Sequence, residues 1–177
     1  MIKLGAQKLR TTKPSKTQLS KIKRKDIYFI LDDILDTYNV GGIFRLADGI
    51  GVKKVFLCGV TETPPNPRIK KASINTTEWV LWEYRQNALE AIRDLRLKLP
   101  DIQIIAVEQD EKSIPYTKID YKLPIAFLVG NETTGVSKKV LEKCDKIAEI
   151  PMFGVNKSLN VIISLGIVSF DVLKKIS

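Results

Sequence analysis

Three segments of the sequence combine glycine with amide, hydroxyl or charged side chains, and each follows a predicted apolar strand or opens a predicted helix. They are NVGGIFRLADGIG (39–51), LVGNETTGVS (128–137) and IPMFGVNKSLN (150–160). Open parallel sheets bind ligands at the carboxyl ends of their strands, which is where such segments lie. Glycine permits close approach to the backbone, so we interpret all three as candidate ligand-binding segments.

None of the three segments is a common nucleotide fingerprint. The sequence has no G-x-x-x-x-G-K-S/T and no G-x-G-x-x-G after a strand, which disfavours ATP- and NAD-binding proteins. Each candidate residue also has a purely structural interpretation. Asn39 and Ser158 could be helix N-caps, Arg45 could pair with Asp48, and Gly130 could simply form a turn.

The sequence contains no histidine. This removes the commonest general base, the Ser–His–Asp triad and histidine-ligated metal sites, and we expect no metal. The two cysteines, Cys58 and Cys144, lie far apart in a predicted strand and a predicted helix. Their spacing fits neither a Cys-x-x-Cys cluster nor a disulfide framework, so we expect buried, unreactive thiols and a cytoplasmic location.

The net charge of +9 lies entirely in residues 1–25, which carry seven lysines, two arginines and no acid. We interpret these residues as a basic, flexible arm for a polyanion, with RNA favoured over an anionic membrane surface. A solvated terminus is the alternative. The arm has no aromatic residue and so cannot stack on bases. Its predicted RNA contacts are Lys21, Lys23, Arg24 and Lys25.

Residues 26–177 have the length and composition of one globular domain. Of the whole chain, 44% of residues are apolar and 28% are charged. The longest uncharged stretch, 158–170, is shorter than the roughly 20 residues that a membrane-spanning helix needs. No apolar block that could serve as a secretory signal follows the basic arm, so we expect neither membrane insertion nor export.

Short apolar runs alternate with amphipathic segments from residue 26, which predicts an α/β fold with a mostly parallel sheet flanked by helices. Predicted strands cover 27–31, 54–60, 102–108 and 124–130, a short extended piece follows Thr77, and predicted helices cover 40–50, 87–99 and 158–176. Residues 61–77 hold three prolines and no hydrophobic period, so we expect a long loop, with Arg68, Lys70 and Lys71 as RNA contacts.

The last predicted helix has apolar residues all round it, including Ile163, Ile167, Val168 and Phe170. A lone domain of this size buries one face of such a helix, and burial of a second face indicates a partner subunit. We therefore expect a homodimer.

Taken in this order and at these spacings, the three segments resemble the three motifs of the SpoU/TrmH branch of the SPOUT RNA methyltransferases. The Asn-x5-Arg of the first motif is at Asn39 and Arg45, and the Gly-Asn-Glu of the second begins at Gly130. The Ile-Pro-Met and Ser-Leu-Asn of the third lie between Ile150 and Asn160. The second motif departs from the family by continuing TTGVS where Glu-Gly-x-Gly-Leu-Ser is more usual.

The resemblance covers residues 26 to 176 and implies transfer of a methyl group from S-adenosylmethionine to a ribose 2′-hydroxyl of RNA. It also implies a homodimer and an α/β fold whose C-terminal part forms a deep trefoil knot. The implied cofactor contacts are Gly130, Ile150, Leu159, Val107 and Met152. The implied catalytic set is Arg45 with Asn39, Glu132, Ser158 and Asn160, which would orient Arg45, the nucleotide and the cofactor.

Arg45 is the leading catalytic candidate of that set. A ribose hydroxyl is a poor nucleophile, so positioning and charge stabilisation should dominate the transfer. An arginine has a pKa above about 12, which favours an electrostatic role over literal proton abstraction.

Two other functions compete with this one. A non-catalytic RNA-binding protein would keep the fold but would not transfer methyl groups. This alternative is disfavoured because every candidate polar position of the three motifs is present. A small-molecule methyltransferase would not need the basic arm. We favour tRNA over rRNA as the substrate because the arm is the only feature outside the predicted domain.

Overall fold

The computed structural model describes residues 4–176 and contains one sheet of seven strands, all paired in parallel. The first three residues of the predicted arm lie outside the described residues. The strands are β1 (Lys25–Asp32), β2 (Val52–Cys58), β3 (Trp82–Arg85), β4 (Gln103–Val107), β5 (Ile114–Pro115), β6 (Ile125–Val129) and β7 (Lys146–Glu149). Their order across the sheet is β3-β2-β1-β6-β4-β7-β5.

Within residues 4–176, seven helices and two short 3-10 turns connect and cover the strands. The helices are α1 (Ala6–Thr11), α2 (Lys16–Leu19), α3 (Thr37–Ile50), α4 (Pro67–Ser73), α5 (Ala88–Lys98), α6 (Lys138–Leu141) and α7 (Val161–Lys175). The 3-10 turns are Thr76–Glu78 and Tyr116–Lys118. No helix within residues 4–176 is long and apolar enough to cross a membrane.

The sheet is buried on both faces, which explains why its central strands are almost continuously apolar. On one face, Phe29 and Phe127 pack with residues of α3, α4 and α7. On the other face, Ile30 and Leu128 pack with residues of α5 and α6. The predicted α/β class, with a mostly parallel sheet flanked by helices, is therefore confirmed. The trefoil knot stays a prediction.

The prediction of a loop over 61–77 is wrong for its second half, because α4 lies within it. The side chain of Asn66 accepts hydrogen bonds from the backbone N–H groups of Arg68 (2.9 Å) and Ile69 (3.2 Å). Pro67 occupies the first helical position, where its missing N–H costs nothing. Ile69 is fully buried and attaches the short helix to the core.

The basic arm contains α1 and α2 and contacts the domain. Leu9, Leu19 and Ile22 are half-buried against the core, and the Asn75 side chain donates to the Leu9 carbonyl (2.8 Å). The Lys13 ammonium pairs with the Glu78 carboxylate (2.7 Å). The division of the chain at residue 25 and the flexibility of the arm stay predictions.

Neither cysteine side chain is fully exposed to solvent. Cys58 is fully buried and Cys144 is half-buried. Burial raises the pKa of the Cys58 thiol well above its ordinary range and raises that of Cys144 to about 12, so both thiols are protonated at neutral pH.

Candidate functional site

A cavity of about 670 Å³ lies at the carboxyl ends of β1, β4, β6 and β7. Nine of the ten predicted catalytic and cofactor-binding residues line it. They are Asn39, Val107, Gly130, Glu132, Ile150, Met152, Ser158, Leu159 and Asn160. The fold therefore brings all three candidate segments to one place, although the role of each residue stays a prediction.

A chain of side-chain hydrogen bonds joins the three segments. The Asn39 amide nitrogen donates to the Glu132 carboxylate (2.9 Å), and the Asn160 amide nitrogen donates to the Asn39 carbonyl oxygen (3.0 Å). Asn39 lies in the first turn of α3, whose N-cap is Asp36. The helix begins three residues earlier than predicted, so the interpretation of Asn39 as an N-cap is wrong.

The start of α7 holds the third segment in position. The Asn160 side-chain oxygen accepts from the backbone N–H of Ile162 (2.9 Å), so Asn160 is the N-cap. The interpretation of Ser158 as a cap is therefore also wrong. Ser158 lines the cavity, and its backbone N–H donates to the Asn156 side chain (3.3 Å).

The Glu132 carboxylate anchors the loop that leads into α3. It accepts from the backbone N–H groups of Leu35 (3.0 Å) and Asp36 (3.1 Å) as well as from Asn39. Burial raises the pKa of Glu132, but these hydrogen bonds outweigh burial and hold the pKa below its ordinary value. Glu132 is therefore an acceptor-only carboxylate at neutral pH, suited to positioning rather than to donating a proton.

Gly130 lies where two backbone segments nearly touch. A Cβ at this position would lie 2.5 Å from the Gly135 carbonyl carbon and 2.6 Å from the Val136 nitrogen. The turn between them is closed by a bridge from Asn131 to Gly135. This close approach requires a glycine at position 130. The role of Gly130 is therefore more than that of a residue in a simple turn.

Arg45 is the one predicted catalytic residue that does not line the cavity. It is exposed on α3, seven residues after the half-exposed Tyr38 and therefore on the same side of the helix. The pair with Asp48, which was the structural alternative for Arg45, is absent from the ion pairs of the described residues. The Asp48 carboxylate instead accepts from the Trp79 indole (2.6 Å).

Several polar residues of the cavity had no role assigned from the sequence, and Glu108 and Asn131 are two of them. Glu108 directly follows β4, and its carboxylate accepts from the backbone N–H of Val136 (2.9 Å). Asn131 lies within the second segment and donates to the Asp33 carbonyl (2.9 Å). The position of Glu108 at the end of a predicted strand was the available signal.

The predicted RNA contacts fall into two groups. Lys21, Lys23 and Lys25 are exposed, as are Arg68, Lys70 and Lys71 on α4. Arg24 differs, because its guanidinium turns inward and donates to the backbone carbonyls of Val52 (3.0 Å) and Trp79. Within residues 4–176, no group of three or more His, Cys, Asp or Glu side chains is placed to hold a metal ion.

The family profile described as "SpoU rRNA Methylase family" matches residues 26–170. The chain belongs to this family. The match includes all three segments that line the cavity and excludes the whole of the basic arm.

Curated relatives in this family include enzymes named for two kinds of RNA. The chain is 30% identical over 155 residues to a tRNA (guanosine(18)-2′-O)-methyltransferase of Aquifex aeolicus, covering 84% of this chain and 69% of that protein. It is 27% identical over 157 residues to the 23S rRNA (guanosine-2′-O-)-methyltransferase RlmB of Ralstonia nicotianae. That match covers 89% of this chain and 62% of RlmB, so the chain spans less than two thirds of this relative.

Two solved structures of RNA-modifying enzymes have the same fold. An A. aeolicus TrmH/SpoU tRNA modifying enzyme superposes with a TM-score of 0.78 at 25% identity, covering 96% of this chain and 81% of that one. An AdoMet-bound rRNA methyltransferase from Sinorhizobium meliloti superposes with a TM-score of 0.79 at 27% identity. That superposition covers 96% of this chain and 60% of the S. meliloti chain.

Proposed function

We propose that this protein transfers a methyl group from S-adenosylmethionine to a ribose 2′-hydroxyl of RNA. The observation that carries the proposal is the convergence of the three motif segments on one cavity, joined through Asn39, Glu132 and Asn160. The family membership and the names of the relatives support it.

The lining of the cavity suits this cofactor. Apolar side chains of Val107, Ile150 and Leu159 provide surfaces for an adenine ring, while the backbone beside Gly130 offers polar groups for its edge. Among the described lining residues, Asp36, Glu108 and Glu132 are acidic, whereas only Lys157 is basic. This charge balance favours a ligand with a positive sulfonium.

When bound, S-adenosylmethionine supplies an electrophilic methyl group, and the chain supplies positioning and charge. Glu132 and Asn160 fix Asn39 at the base of α3. Arg45 carries a fixed positive charge on the exposed side of the same helix, where it can hold an RNA phosphate or stabilise the oxyanion that develops on the ribose. This role requires the bound RNA to reach from the cavity to that side of α3.

Radiolabelled methyl transfer to RNA, followed by mass-spectrometric mapping of 2′-O-methyl nucleotides, tests the proposed reaction. We expect label in RNA and calorimetric binding of S-adenosylmethionine. RNA binding without cofactor binding or transfer would instead identify a non-catalytic RNA-binding protein of the same fold.

We propose tRNA rather than rRNA as the substrate. A relative that is 30% identical to this chain is named for tRNA, whereas RlmB, which is named for rRNA, is 27% identical. Relatives are named for both kinds of RNA, so comparison of purified tRNA with ribosomal RNA in the transfer assay decides between them. A cytoplasmic location stays a prediction.

The arm is expected to contact RNA phosphates. Changing the exposed Lys16, Lys21 and Lys23 to Gln should weaken RNA binding and make the log–log salt slope shallower by about 2, since each phosphate contact on a single strand contributes about 0.7. S-adenosylmethionine affinity should not change. Filter binding across a salt series measures the slope.

The matched control for the arm changes the exposed Lys138, Lys139 and Lys143 to Gln, in and after α6. It removes the same charge from the opposite face of the sheet. If the salt slope of RNA binding became equally shallow in the two triple variants, net charge rather than the arm would attract the RNA.

We further propose a homodimer formed through the exposed side of α7. Ile163 is 52% exposed and Phe170 is 56% exposed, and with the half-buried Ile167 they share one side of the helix. Sedimentation at micromolar concentration should give about twice the monomer mass of 20.0 kDa. Phe170→Asp should shift the protein towards monomer, whereas Leu97→Asp, which changes the exposed Leu97 of α5, should not.

A further inference from the structure

A second cavity, of about 520 Å³, lies beside the edge strand β3 and away from the site described above. Its lining includes Pro64, Pro65, Pro67, Lys70, Glu78 and Trp82. Three proline rings and one planar indole are rigid apolar surfaces that lose little conformational entropy when a ligand packs on them. The chain itself leaves this space open, at a volume typical of small-ligand sites.

The charges around this second cavity favour an anionic ligand. Lys70 lines it, and the exposed Arg68 and Lys71 lie on the same short helix α4. The Glu78 carboxylate in the lining is already paired with Lys13 of the basic arm (2.7 Å). The net charge beside the apolar surface is therefore positive.

The basic arm runs alongside the second cavity. Asn75, which precedes the Thr76–Glu78 turn, donates to the carbonyl of Leu9 in α1 (2.8 Å), and Lys13 reaches Glu78. The arm lacks aromatic residues, so it can hold phosphates but cannot stack on bases. The second cavity provides the aromatic surface that the arm lacks.

We infer that the second cavity binds one unpaired nucleotide of the RNA substrate, with the base against Trp82 and the prolines and the phosphate near Lys70. This inference rests on the proposed function, because it assigns the ligand as a part of the RNA to be methylated. It combines the two elements that single-stranded RNA sites require, namely a positive track for the backbone and an aromatic face for a base.

Two RNA decamers of equal charge test the inference, one of cytidines and one of abasic ribose phosphates. Both engage the arm, but only the first can place a base on Trp82. Trp82→Leu should reduce the preference for the cytidine decamer about tenfold and leave the affinity for the abasic decamer unchanged. Trp82→Phe keeps an aromatic ring and should retain most of the preference.

The outcomes separate stacking from packing. An unchanged preference in Trp82→Leu overturns the inference. An equal loss of affinity for both decamers also overturns it, because that result means that Trp82 acts only through its half-buried packing against the core. Thermal melting of each variant verifies that the protein is folded.

The lysines of α4 provide a matched pair within one helix. Lys70 lines the second cavity, whereas Lys71 is exposed outside it. Lys70→Ala should weaken binding of the cytidine decamer several-fold more than Lys71→Ala. Equal effects would overturn the assignment of Lys70 to the bound nucleotide.

Methyl transfer measured on the same samples separates this inference from the proposed function. If the wild-type protein transfers methyl groups but Trp82→Leu keeps the preference for the cytidine decamer, only the nucleotide site is refuted. A Trp82-dependent preference without any methyl transfer refutes the proposed function and leaves an RNA-binding protein.

Discussion

Arg45→Ala is expected to fold and bind S-adenosylmethionine as the wild type does, yet to lose about a hundredfold or more in methyl transfer. Loss of one preorganised charge-stabilising donor has an effect of this size in enzymes. Stability should not change, because Arg45 is exposed and the carboxylate of Asp48 is held by the Trp79 indole. Single-turnover transfer from labelled cofactor, with calorimetry of cofactor binding, measures both quantities.

Arg45→Lys is the informative companion to Arg45→Ala. It should restore little activity, because a point charge does not reproduce the planar guanidinium fork. If Arg45→Ala transferred methyl groups at nearly the wild-type rate, the catalytic assignment of Arg45 would be wrong.

Gly130→Ala is expected to lower S-adenosylmethionine affinity by about tenfold to a hundredfold. The new Cβ would meet the backbone of Gly135 and Val136 at 2.5–2.6 Å, and overpacking of this kind costs about 1–3 kcal/mol. Backbone atoms cannot rotate away as a side chain can. Relief requires the turn to move, which strains the hydrogen bond from the Val136 N–H to Glu108 (2.9 Å) and displaces the wall of the cavity.

Gly154→Ala is the matched control for Gly130→Ala. Gly154 belongs to the third segment, but a Cβ there would meet nothing within 4 Å. It should therefore bind the cofactor like the wild type. Wild-type affinity in Gly130→Ala would show that the turn moves freely and that the close approach does not shape the cavity.

The central part of the fold could be predicted because burial on both faces leaves a strong signal. The strands β1, β4 and β6 are continuous apolar runs, and Asn87 and Pro100 mark the ends of the helix α5 between them. The strand β5 has only two residues, which is too few for any periodic pattern. The helix α4 was missed because three nearby prolines indicate a loop, whereas one of them begins a helix.

The sequence predicted which residues line the cavity more fully than it predicted the hydrogen bonds that those residues make. Family motifs indicate which residues gather at the cavity, but Glu132 binds the backbone N–H groups of Leu35 and Asp36, and backbone groups carry no sequence signal. The N-cap of α3 was misplaced for a related reason. Asp36 and Asn39 both suit a cap, and the geometry of the chain selects Asp36.

The hydrogen-bond chain through Asn39 also bears on when the protein becomes competent during its synthesis. Asn39 is separated by 93 residues from Glu132 and by 121 residues from Asn160. Contacts of such long range form late, after the intervening loops have been closed. A nascent chain that emerges N-terminus first exposes its basic arm long before the segment carrying Asn160 has been translated and docked. Under the proposed function, contact of the arm with RNA would therefore precede a complete cavity, and a ribosome-bound chain would pass through a stage that holds RNA but does not modify it.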